Sequence, residues 1–126
     1  MKINSLDELK IIDFPESESI DIDRKDSKIM YNNKMFIANI SFELTKETKN
    51  DIIFEMELPF QVSATYYSPL ELVIFGTITT KRNPTVSIVI QDGKFRILSN
   101  DIITFDYYSP LKSFRYIGQI VGFIDN

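Results

Sequence analysis

From position 34 onward, apolar and polar side chains alternate with a period of two, the pattern of a strand with one face buried and one face wet. Phe36, Ala38, Ile40, Phe42 and Leu44 fall on one side, with Ile37, Asn39, Ser41 and Glu43 on the other. A helix turning every 3.6 residues would smear that set around its circumference, so the pattern predicts a strand. The alternation resumes after the polar run Lys46-Glu47-Thr48-Lys49-Asn50-Asp51. Ile52, Phe54, Met56, Leu58, Phe60, Val62 and Ala64 then oppose Glu55, Glu57, Gln61 and Ser63. The two stretches, 36–45 and 52–64, are expected to be antiparallel partners in a half-solvated sheet. Pro59 interrupts the second, and proline has no N–H for the ladder, which predicts an edge strand or a bulge there.

Turn chemistry divides the rest of the chain. Lys28–Tyr31 followed by Asn32-Asn33 reads as a hairpin into the first strand, since Asn tolerates the positive φ of a tight turn. Asp92-Gly93 is the stronger hairpin signal, joining Val86, Ile88 and Ile90 to Phe95 and Ile97. Leu70–Thr80 carries apolar residues on both faces, Leu72, Ile74 and Ile78 against Val73 and Phe75, as a central strand does. With Ile102–Tyr108 and Phe114–Ile124 the total is about eight strands. Gly118 and Gly122 permit a bend or a close backbone approach in the last one.

Before position 28 the period of two is absent. Ser5-Leu6-Asp7-Glu8 fits a capping box opening a short helix through Leu6, Leu9, Lys10 and Ile12, ended by Pro15; the alternative is an extended arm, Lys10 to Phe14, laid against a sheet. Residues 15–28 are polar and acidic and read as a loop, or as a short edge strand at Ile20–Asp23. The prediction is one all-β domain over 1–126, an antiparallel barrel or sandwich whose core is 28–126, with 1–27 as an N-terminal helix or arm and loop.

Composition supports one domain. A chain of 126 residues with 44% hydrophobic and 13% aromatic content can fill a single core. It contains no His and no Cys, which removes Ser-His-Asp and Cys-His catalysis, disulfides and Cys-ligated metal sites. Its four glycines are isolated, so no phosphate loop is present. No cofactor or metal is therefore expected. A net charge of −4 disfavours nucleic acid as a partner. No 18-residue apolar run and no apolar leader after Met1 are seen, so residence in the cytoplasm, away from membranes, is expected. Heavy use of Ile, Lys and Asn suits an AT-rich genome and, with the small size, a phage or mobile-element accessory protein such as an inhibitor of a host system.

One segment repeats. Tyr66-Tyr67-Ser68-Pro69-Leu70 returns as Tyr107-Tyr108-Ser109-Pro110-Leu111. Both copies read as the same Ser-Pro turn closing a strand, or else as a paired aromatic surface built for binding. Three further groups bear on function. Asp21, Asp23 and Asp26 suggest a calcium loop, but Asp26 stands where Gly is needed and Asn32 where Glu is, which leaves a solvated acidic loop. Glu55 and Glu57 share a strand face about 7 Å apart, with Glu43 across the ladder, as a carboxylate-based hydrolase would arrange them. Lys81, Arg82, Lys94, Arg96, Lys112 and Arg115, with Phe95, Phe114 and Tyr116, compose the basic and aromatic set of a single-stranded nucleic-acid-binding barrel.

Because no reactive group is evident, the expected function is non-enzymatic: a protein-binding or assembly module whose partner is another protein or itself. Binding is expected through strand edges marked by Pro59 and through Tyr66, Tyr67, Tyr107 and Tyr108. Nucleic-acid binding is the alternative, and carboxylate hydrolysis ranks third.

Overall fold

The computed structural model describes residues 9–44, 52–73, 85–99 and 114–125. They form two antiparallel sheets that share one core, a sandwich-like arrangement in which no barrel closes. The first sheet has the order β1 (Lys10–Ile12), β3 (Lys28–Tyr31), β4 (Met35–Leu44), β10 (Phe114–Phe123), β7 (Glu71–Val73). A short β2 (Asp21–Ile22) pairs with β4 beyond the end of β3. The second sheet runs β5 (Ile52–Glu57), β9 (Lys94–Ser99), β8 (Val86–Gln91), β6 (Tyr66–Pro69).

The inward rows are those that the alternation marks. Phe36, Ala38, Ile40, Phe42 and Leu44 are buried, and they meet Val86, Ile88, Ile90, Phe95 and Ile97 from the second sheet in one cluster. Aromatic rings knit it together: Phe42 stacks on Tyr116 at 5.5 Å, and Phe36 on Phe60 at 5.4 Å. Fully burying each such side chain contributes roughly 1.5–3 kcal/mol. Phe14 also enters this core, edge-on to Phe95 at 5.2 Å, as does Ile20.

The two sheets are joined covalently at one corner. Residues 66–69 pair with β8, Leu70 N donates to Val86 O at 2.8 Å, and from Glu71 the chain pairs with β10 instead. Pro69 stands at the changeover, where its missing N–H removes no central rung. The corner crosses close over β10, and Gly118 and Gly122 make that approach fit. A Cβ on Gly122 would lie 2.6 Å from the rings of Phe36 and Tyr66, and one on Gly118 would overlap the end of the Leu70 side chain.

Several expectations are corrected. No helix is found among the described residues, outside which the capping box at 5–8 lies: Lys10–Ile12 is an edge strand paired with β3, and Phe14 and Ile20 belong to the packed core. Stretches 36–45 and 52–64 are not partners. β4 pairs with β10, and β5 pairs with β9 in the other sheet. Nor is 52–64 one strand, because β5 ends at Glu57 and the chain turns at Pro59. A bulge at Ile53 shifts its phase, so Ile53 and Phe54 are both buried while Ile52 is exposed. The turn after β3 works without positive φ, which occurs only at Asp92 and Gly93 among the described residues. Asn32 acts through its side chain instead: Oδ1 accepts from the N–H groups of Lys34 and Met35 at 2.8 and 2.9 Å. Finally, β7 is at a sheet edge among the described residues, not central. Strand 102–108 and residues 74–80 lie outside them.

Gly122→Ala should destabilise the fold by about 1–3 kcal/mol, because two ring systems oppose the new methyl. Gly118→Ala should cost less, since the flexible end of Leu70 can rotate away. Thermal denaturation of both variants checks the order; Gly118→Ala as the more damaging change would contradict the corner geometry.

Candidate functional site

A strand pair with one wet face should carry polar side chains outward, and the long ladder between β4 and β10 departs from this at one end. Its register sets Val121 opposite Ile37 and Phe123 opposite Met35, all facing away from the core. Met30 of β3 lies opposite Ile37, and Ile11 of β1 opposite Met30. Ile11, Met30, Ile37 and Val121 therefore form one apolar row across four strands, with Met35 and Phe123 in the next row. Ile11 is 59% exposed, Val121 51% and Phe123 73%. Apolar residues scattered singly on a surface are ordinary; a contiguous row on one face marks a site of interaction.

Along the same face the chemistry changes by rows. Next come the amides Asn39 and Gln119, with Lys28 at the margin, and then Ser41 opposite Ile117. The far end is charged. Arg115 donates to Asp23 Oδ2 at 3.0 Å and to Ser41 Oγ at 3.3 Å, beside Glu43 and Asp21. Asp23 also closes its own turn, its Oδ1 accepting from Lys25 N at 3.1 Å. The acidic loop is thus committed to tying β2 onto the sheet, and no three possible metal ligands converge among the described residues.

The tyrosine segment is corrected in its first copy. Residues 66–69 are a strand, not a turn, so successive tyrosines point to opposite faces and form no common surface. Tyr66 faces inward: its ring packs edge-on to Phe36 at 5.3 Å, and its hydroxyl accepts from Phe123 N at 2.9 Å. Tyr67 faces outward on the second sheet, 57% exposed, its hydroxyl accepting from Ser87 Oγ at 2.8 Å. Tyr107 and Tyr108 lie outside the described residues. Pro59 is exposed and borders a groove of about 790 Å³ with Leu9, Lys10, Tyr31, Phe60 and Gln61.

The basic and acidic candidates meet one another. On the outer face of the second sheet Arg96 donates to Glu55 at 2.7 Å, and Lys94 lies 3.7 Å from Glu55 and 3.9 Å from Glu57. Glu43 belongs to the other sheet, so it does not join a carboxylate pair. Phe95, Phe114 and Tyr116 are buried, Tyr116 to 1% exposure, and offer no ring face to a nucleobase. Burial also pushes the Tyr116 phenol well above its ordinary range. Lys81, Arg82 and Lys112 lie outside the described residues. No helix among the described residues is long and apolar enough to cross a membrane.

The hydrogen bond from Arg96, helped by the charge of Lys94, holds the Glu55 carboxyl below its usual range, against a smaller desolvation effect that raises it. A depressed folded-state pKa adds stability above the unfolded value, and that stability is lost as pH falls through the folded one. Arg96→Gln should therefore return Glu55 toward ordinary titration, as carboxyl NMR shifts would show, and should lessen the acid sensitivity of folding. An unmoved Glu55 midpoint would refute the pairing. Compared with known protein families, curated proteins and solved structures, the chain matches none.

Proposed function

We propose that this protein is a non-enzymatic binding module that docks another polypeptide on the outer face of its first sheet. One observation carries the reading: the outward apolar row Ile11–Met30–Ile37–Val121, exposed at Ile11 and Val121 and half-buried between them, extended by half-buried Met35 and exposed Phe123. Strands about 4.8 Å apart and rows about 7 Å apart give its six positions a contiguous footprint on the order of 200 Å². Phe123 is the natural anchor, a large rigid side chain standing clear of the surface at the end of a strand.

Support also comes from what the other groups are occupied with. Among the described residues, Glu55 and Glu57 are engaged with Lys94 and Arg96 in surface ion pairs, and Arg115 is engaged with Asp23. Such pairs contribute little to stability individually, but on the outer face of the second sheet they balance two carboxylates with two cations. Binding through the apolar row needs no reactive group, cofactor or metal. Of the residues expected from sequence to bind, Tyr67 faces outward on the opposite sheet and Pro59 is exposed beside the groove at Tyr31 and Phe60.

Val121→Asp and Phe123→Ser should each leave the fold intact, with stability changed by about 0.5 kcal/mol or less, as at other exposed positions. A partner recovered from the native host, purified and remixed with the wild-type chain should lose at least tenfold in affinity to either variant. Loss on Tyr67→Ala with full binding by Val121→Asp would move the site to the other sheet and overturn the proposal.

A further inference from the structure

We infer that the occupant of this face is a second copy of the same chain, packed sheet to sheet about a two-fold axis near the Ile37–Val121 row. The inference rests on the docking proposal above and names its partner. Charge is the first reason. From the Met35–Phe123 row to the Asn39–Gln119 row, Lys28 at the margin is the sole formal charge among the residues paired across the face. A charged partner would find almost nothing to pair with there. An identical copy presents the same neutral surface, and two chains of net charge −4 approach with least repulsion where neither carries charge.

Geometry is the second reason. Two sheets packed face to face sit about 10 Å apart with their apolar rows interdigitated, which is how this chain already builds its interior. A two-fold axis makes the contact isologous, so Val121 of one copy meets Val121 and Ile37 of the other, while each Phe123 reaches toward the amide row. The unbranched Met30 and Met35 can adjust to either register. Size sets the strength. The two, four and three paired positions of these rows span on the order of 300 Å² per copy, about 600 Å² in all, far below the standard stable interface and at the weak, transient end of the range. The structure thus assigns a reversible dimer that forms as concentration rises, with the charged end at Glu43 and Arg115 left at the rim.

Sedimentation velocity of the full chain over about two decades of concentration tests this. The weight-average mass should climb from 14.7 kDa toward twice that value, and Val121→Asp should weaken association at least tenfold while its circular dichroism stays that of the wild type. If Val121→Asp fails to fold, Ile11→Lys at the exposed edge should weaken association in the same direction. A chain that stays monomeric throughout overturns the second-copy assignment but not the docking proposal, which the purified-partner experiment decides separately. A dimer that survives Val121→Asp, Phe123→Ser and Ile11→Lys unchanged also overturns it, because association must then use another surface such as a strand edge.

Discussion

The ten-residue ladder between β4 and β10 is the constraint on which the rest depends. Side chains alternate along a strand, so a single register decides every inward and outward position at once, and a slip of one residue would exchange the two sets. In the observed register the ladder buries Phe36, Ala38, Ile40, Phe42, Tyr116 and Ile120 and turns Ile37, Val121 and Phe123 outward. The core and the candidate docking surface are two sides of one pairing. Both rows are apolar near the Phe123 end, so burial of the inner row alone does not satisfy that end of the sheet. The unburied row is what a partner would cover.

The corner between β6 and β7 makes the ladder possible to enclose. One continuous segment, 66–73, leaves the second sheet and joins the first, so the inner faces are held together by chain connectivity as well as by packing. Its close approach removes the room for a side chain at Gly118 and Gly122. Tyr66 completes the closure from the other side, its ring on Phe36 and its hydroxyl on the Phe123 amide. That contact links the tyrosine motif to the docking face, though as a support beneath it. Holding the backbone of Phe123 fixed reduces the conformational entropy lost when its side chain is buried by a partner.

Local signals in the sequence proved legible where they depend on neighbours in the chain. The alternation of β4, the Asp92-Gly93 turn with its positive φ at both positions and the inward rows of β8 and β9 are all written in short windows. What could not be read is pairing between strands far apart in the chain. Stretches 36–45 and 52–64 are consecutive and equally amphipathic, so adjacency favoured pairing them, yet β4 pairs with a strand some seventy residues on. The bulge at Ile53 was invisible for a related reason, since a phase shift shows only against its partner. The candidate site was hidden by the same gap: Ile11, Met30, Ile37 and Val121 are separated in sequence and become one row only through the registers of three strand pairs. The first copy of the tyrosine repeat misled because its Ser-Pro resembles a turn, whereas Pro69 marks the point at which a strand changes sheets.

Because the chain has no cysteine, single thiols can report side by side on the two faces of the ladder. Ala38→Cys, Ile120→Cys, Val121→Cys and Phe123→Cys would each be treated with a soluble thiol reagent at a concentration low enough to keep the chain dissociated. The register predicts rapid modification at 121 and 123 and strong protection at 38 and 120. Rapid modification at 120 with protection at 121 would mean that the ladder is shifted by one residue, and that neither the core nor the docking face is the one described.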